Sequence, residues 1–201
     1  MRSCAFAFLL LAAAGAGKLE ASSIVLDFEG LPDSTILTTQ YPGVTFTNAI
    51  ILTAGISLNE FEFPPYSGVN VASDNTGPMT LTFASTIVSF AGYFTYAEPL
   101  TLDAFNATGA LVGSATSAFS NNEALSGVPG SSPNEFIQVT FAGGISSVTI
   151  TGDPSGGSFT IDNATYVPAS GSVPEPATTF PIFTGIIAIA SIATRKQQQP
   201  R

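Results

Sequence analysis

Histidine and tryptophan are absent from this 201-residue chain, and cysteine occurs once, as Cys4. Lysine and arginine total five, and Arg2, Lys18, Arg195, Lys196 and Arg201 all lie towards the ends, so no basic side chain stands between Ala21 and Thr194. Without histidine or a second cysteine there is no Ser-His-Asp triad, no Cys-His pair, no intrachain disulfide and no zinc site built on those ligands. Without lysine the central region has no Schiff-base amine and no Ser-Lys dyad. The missing arginine removes the usual clamp for a transferring phosphoryl group, and no glycine-rich phosphate loop ending in lysine occurs.

What is present is one-sided. Of fourteen Asp and Glu residues, leaving out Glu20 and Glu175 gives twelve between Asp27 and Asp162, with no cation in the same stretch. A field of that sign repels a phosphate backbone, which excludes nucleic acid as a partner. Of the enzymatic chemistries, carboxylate-pair glycoside cleavage alone survives this inventory, and Glu60 and Glu62, in the loop Glu60-Phe-Glu-Phe-Pro-Pro-Tyr-Ser-Gly68, are its candidates. A solvated loop face, with Phe61 and Phe63 packed inward, is the plainer reading of the same residues.

The two ends read as addresses. Arg2 precedes an apolar stretch through Ala14 that is too short to span a bilayer, and small residues at Ala14, Ala16 and Ala21 suit signal-peptide cleavage after Ala16 or Ala21. The expected signal helix occupies residues 1–21, with the secretion translocon as its partner. Near the other end, residues 177–194 carry no charge and as a helix would reach about 27 Å, enough to anchor in the inner membrane. Arg195 and Lys196 then act as a membrane stop, with 195–201 a basic cytoplasmic tail. Before that helix, residues 168–176 form a proline-rich linker containing Val173, Pro174, Glu175 and Pro176. Motif, apolar helix and basic end in this order resemble the PEP-CTERM sorting tail of Gram-negative bacteria that make exopolysaccharide. The resemblance implies recognition and removal of the tail by an exosortase-type enzyme, leaving the protein at the cell surface or outside the cell. Gln197-Gln-Gln199 stands where an arginine cluster is common in that family.

Between the ends, 22–167 reads as one all-β domain. Ile24, Leu26 and Phe28 alternate with Val25, Asp27 and Glu29, and similar runs recur near 43–53, 69–72, 79–84, 86–96, 99–106, 110–117, 134–142, 145–151 and 157–167. Many short strands with glycine, proline and asparagine between them favour an antiparallel β-sandwich, which covers the apolar faces a single open sheet would expose. Leu100-Thr-Leu-Asp-Ala-Phe105, Asn106-Ala-Thr-Gly109 and Ala110-Leu-Val112 predict a hairpin in which Gly109 supplies the positive φ. This segment resembles jelly-roll domains of the galactose-binding-like type, as do Leu26-Asp-Phe-Glu-Gly30, residues 136–141, residues 145–150 and Phe159-Thr-Ile-Asp-Asn163.

That resemblance, with the unpaired carboxylates, predicts a Ca²⁺ ion joining the first and last strands, held by Asp27 or Glu29 with Asp162 or Asn163; Asp74 and Asn75 are an alternative pair. Facing water, or forming a turn at Asp162 and Asn163, is the bland reading of these residues. No other cofactor is expected. Destination and fold resemblance together imply a non-catalytic protein that meets extracellular polysaccharide. A structural surface role without a glycan ligand is the alternative, ahead of a glycosidase. Since tryptophan is absent, a sugar platform must use tyrosines, and Tyr66 and Tyr41 are the ligand-binding candidates, with Tyr93 and Tyr96 behind them.

Overall fold

The computed structural model describes residues 22–169. The expected signal peptide, the motif Val173, Pro174, Glu175 and Pro176, the apolar 177–194 segment, Arg195 and Lys196 lie outside the described residues. Ten strands make up the domain: β1 Ile24–Leu26, β2 Ile36–Leu37, β3 Val44–Thr47, β4 Ala49–Thr53, β5 Asn70–Asp74, β6 Met79–Tyr96, β7 Thr101–Phe105, β8 Leu111–Thr116, β9 Glu135–Thr151 and β10 Phe159–Pro168. Among the described residues no helix is long and apolar enough to cross a membrane.

All strand pairings are antiparallel, in the order β2-β4-β5-β10-β6-β9-β7-β8, with β1 on β10 and β3 on β6. The first and last strands therefore lie side by side, Leu26 opposite Ala164. The hairpin predicted at 100–112 is β7 and β8, closed by Gly109 at φ 78° while the Asn106 side chain accepts the Thr108 and Ala110 amides.

Two pairs of expected strands turn out to be single long ones. The 79–84 and 86–96 runs are one strand, β6, and 134–142 and 145–151 are one strand, β9. Conversely, the 43–53 run breaks into β3 and β4 at Asn48, whose φ is 55°. The long strands hide a change of phase. Met79, Leu81, Phe83 and Ile87 point into the core from β6, and then Phe90, Phe94 and Tyr96 do; odd positions give way to even ones. An added residue in one strand flips every later side chain to the other face. Here both strands break: Thr82 opposes Ser147, Ile87 opposes Ile145 and Ser89 opposes Thr140, so residues added on β6 are matched by residues added on β9 and the ladder resumes in its original register. On β10 the extra residue is Asn163, at φ 47°, between Asp162 opposite Tyr93 and Thr165 opposite Ala91.

These irregularities let each long strand serve two neighbourhoods. The first half of β6 lies between β3 and the end of β9, and its second half lies between β10 and the start of β9. One buried cluster takes Phe46, Leu81, Leu102 and Val148 from the first neighbourhood and Ile51, Phe94 and Ile161 from the second. The sheet thus bends over a single core, and burying each large apolar side chain there contributes about 1.5–3 kcal/mol.

Candidate functional site

Opposed residues on antiparallel strands project to the same face. Asp162 on β10, Tyr93 on β6 and Phe136 on β9 are such a row, and their face is the outer one, because Phe94, Ile137 and Ile161 beside them are core. A loop from Asn59 to Val69 folds over this row. Its Tyr66 ring stacks on Tyr93 with centroids 3.5 Å apart and planes 6° from parallel, and Phe136 tilts against Tyr93 at 5.4 Å. Tyr66 remains 48% exposed and Phe136 52% exposed, so two of the three rings offer a surface to solvent. The Tyr66 hydroxyl beside it, with a smaller effect of burial, pushes the Tyr93 phenol above its ordinary value.

The loop is pinned at both ends. The Ser67 amide donates to Asp162 Oδ2 at 2.7 Å and the Ser67 hydroxyl to Asn163 Oδ1 at 3.1 Å. Glu29 Oε1 accepts the Val69 and Asn70 amides at 2.8 and 2.9 Å. On the far side Asn134 Nδ2 donates to the Pro64 carbonyl at 3.1 Å, and the Ala124 amide donates to the Glu62 carbonyl at 3.0 Å. Gly68, at φ 56°, has no room for a Cβ, which would lie 2.2 Å from Glu29 Oε1. Beside Phe136, the neighbouring 117–134 segment is held by buried Asn122, which accepts the Tyr96 amide and donates to the Phe94 and Ser132 carbonyls. Glu135 accepts the Tyr96 hydroxyl from β6 and, at Oε1, the Ala118 amide at 2.9 Å, which ties the start of β9 to the same segment.

The residues singled out in the sequence separate here. Tyr66 is on the outer face and Tyr93 joins it. Tyr41 packs instead against Phe28 and Phe46, at 6.0 and 6.2 Å, with its hydroxyl buried and its pKa pushed up to about 12, chiefly by burial. Tyr96 is buried in the core. Glu60 and Glu62 sit on the loop, where Asn59 Nδ2 donates to Glu62 Oε2, and Phe61 is 76% exposed, where inward packing was expected. Phe136, Asn134 and Asn122 went unread, because their roles depend on which strands lie together.

For the calcium expectation, the strand adjacency it required is present, and Glu29 and Asp162 converge on one loop. Their oxygens serve backbone amides: Asp162 Oδ1 accepts the Asn163 amide, and Asp27 Oδ1 accepts the Glu29 amide. Burial holds the Asp162 carboxyl above the ordinary range, with a smaller push from Glu29. Among the described residues no group of three or more His, Cys, Asp or Glu gathers in a way that could hold a metal ion. Asp74 takes a different post. It is buried and accepts the Ser158 and Phe159 amides and the Ser158 hydroxyl, and burial raises its pKa.

No known protein family matches the chain, and no curated protein does. Among solved structures, the K2 cleaved adhesin domain of Lys-gingipain is similar at 11% identity and a TM-score of 0.47, covering 73% of this chain and 99% of that one. The family 11 carbohydrate-binding module of a cellulosomal cellulase of Clostridium thermocellum is similar at 12% identity and a TM-score of 0.36, covering 74% and 96%.

Proposed function

We propose that this chain is an exported, non-catalytic surface protein whose jelly-roll β-sandwich binds extracellular polysaccharide through the outer face at Tyr66, Tyr93 and Phe136. The observation that carries the reading is the stacked, half-exposed tyrosine pair, beside an exposed phenylalanine, on a pinned loop over a continuous sheet. A pyranose has an apolar face of C–H groups and a rim of hydroxyls. A flat ring bordered by amides suits both, and a platform already ordered loses little entropy on binding. Gln138, two residues along β9 on the same face as Phe136, supplies such an amide. The bends in β6, β9 and β10 over one core support the sandwich architecture.

The non-catalytic part of the reading rests on inventory and placement. Asp74 and Asp162, the carboxyls that burial raises, are both buried and hydrogen-bonded to backbone amides, not poised at an open cleft. Export, a transient inner-membrane anchor and exosortase-type removal of the tail at Val173 to Pro176 complete the proposal. They rest on the sequence of the ends, and intact mass of the surface-associated protein tests them. Retention of Arg195 in the exported form would remove the processing step. A calcium ion near Glu29 and Asp162 is proposed on the absence of any basic neighbour for these groups. A melting temperature higher in millimolar calcium than in chelator supports it, and equal values remove it.

Affinity electrophoresis of the purified protein through gels containing the host's extracted polysaccharide tests the central reading. Retardation that Tyr66→Ala abolishes, with no sugar released on incubation, is the expected result. Retardation unchanged in Tyr66→Ala contradicts the assignment of this face, and steady sugar release lost in Glu62→Gln makes the protein a glycosidase. A second reading, protein docking, is favoured by Phe61 and Leu125, 76% and 73% exposed on two loops joined by the Ala124 to Glu62 bond. Capture of a defined protein partner lost in Phe61→Ser, with no glycan retardation, would put that reading first.

A further inference from the structure

We propose that the outer aromatic face selects uncharged polysaccharides and turns away glycans bearing carboxylate or sulfate. The inference rests on the glycan reading above and adds the class of ligand. An anionic sugar is held in proteins by a cation, by backbone amides pointing at it, or by both. In chelator, with no calcium ion held near Glu29 and Asp162, this face has neither of its own to give. No Lys, Arg or His occurs between Ala21 and Thr194, so no described residue supplies a positive charge.

The amides nearest the platform are already committed. Ser67, next to Tyr66, gives its N–H to Asp162, and Val69 and Asn70 give theirs to Glu29. The loop that presents the tyrosine therefore cradles the protein's own carboxylates where an anion-binding loop would hold a ligand's. Asp162 lies in the same cross-strand row as Tyr93 and Phe136, and Glu60 and Glu62 ride on the loop itself.

What the rim has to spare is neutral. Gln138 gives one N–H to Ser89 and Asn134 gives one to Pro64, which leaves each amide a second N–H, and among the described residues neither side-chain carbonyl oxygen takes a protein donor. A donor and an acceptor beside an exposed ring suit the hydroxyls of a neutral sugar, which both give and accept. They carry no charge to offset the repulsion that a carboxylate or sulfate meets from Asp162, Glu60 and Glu62. The selectivity is thus built from repulsion with no cation to balance it, on a platform whose apolar contact any pyranose could share.

Matched polymers that share a backbone and differ in charge, run in chelator, separate these contributions: hydroxyethyl against carboxymethyl cellulose, dextran against dextran sulfate, and fully methyl-esterified against de-esterified polygalacturonate. Each is cast in affinity gels and run with wild-type protein, Tyr66→Ala and Phe136→Ala at low and at raised salt, with melting curves confirming that the variants fold. The neutral member of at least one pair should retard the wild type, independently of salt, and fail to retard Tyr66→Ala. Its charged partner should bind at least about tenfold more weakly at low salt, with the gap narrowing as salt screens the repulsion. Equal or tighter binding of the charged member overturns the inference while leaving the glycan reading in place. Retardation by no polymer, the host's own polysaccharide included, overturns the glycan reading and this inference with it. Neutral retardation that persists in both variants takes the selectivity off this face.

Discussion

Phe28, Tyr41 and Phe46 meet at the core, and Tyr66, Tyr93 and Phe136 meet outside it. Phe28 sits edge-on to Tyr41 and Phe46, at 6.0 and 6.3 Å, and the outer tyrosines lie flat on one another at 3.5 Å. Edge-to-face packing fills space in three dimensions, as a core demands. A flat stack fills a surface and leaves an outward ring face. The difference teaches that aromatic content alone does not mark a site. What marks it is exposure held in place by polar bonds, and the outer triad is supported by Asp162, Asn163, Glu29 and Asn134 through the loop that carries Tyr66.

The strongest way to break the symmetry of the two triads is to truncate one ring in each. Phe28→Ala removes a fully buried ring and should cost about 3–5 kcal/mol in a denaturant melt. Gly68→Ala comes next. The new Cβ meets the Glu29 carboxylate and the residue keeps a left-handed φ, so Glu29 must leave two amides at a cost of about 1–3 kcal/mol, and glycan retardation should weaken because Tyr66 shifts. A stability loss with undiminished retardation would show that the loop is not what positions the ring.

A smaller effect sharpens the contrast through pH. Burial raises the native pKa values of Asp74 and Asp162 above the ordinary 3.8. A group raised in the native state adds stability below its unfolded value and loses it as pH climbs through the native one. Melting temperature should therefore rise as pH falls from 7 towards the ordinary carboxylate range of about 4, aided by relief of the like-charge field. Asp33, lowered chiefly by its Ser57 hydrogen bond, acts in the opposite sense only at still lower pH. A melting temperature that falls steadily over the same range would contradict the assignment. The smallest stability change belongs to Tyr66→Ala, about 1 kcal/mol or less, since the ring is half exposed and its loss opens no core cavity.

Much of the scaffold was legible from the chain. The β7–β8 turn could be read because Asn106 and Gly109 act within a few residues of each other, and local chemistry decides it. Period-two runs located most strands. The fusion of 79–84 with 86–96 was not legible, because the bulge between them preserves the ladder while reversing the phase, so alternation read alone suggests two strands. Nor could Tyr41 and Tyr66 be told apart. Each stands beside proline in a loop, and what buries one is Phe28 and Phe46 from distant segments, while what exposes the other is its seat on Tyr93. Phe136 carried no local mark at all. Its partnership with Tyr93 exists through pairing across more than forty residues, which no window of sequence contains.

The most direct test of an outer binding face over an inner structural triad is amide and aromatic NMR on the purified protein, titrated with a short neutral oligosaccharide of the polymer it binds. Shifts gathered at 59–69, Tyr93 and 134–138, with Phe28, Tyr41 and Phe46 unmoved, are the expected result. Shifts centred on any other surface, or none at saturating sugar, would contradict it.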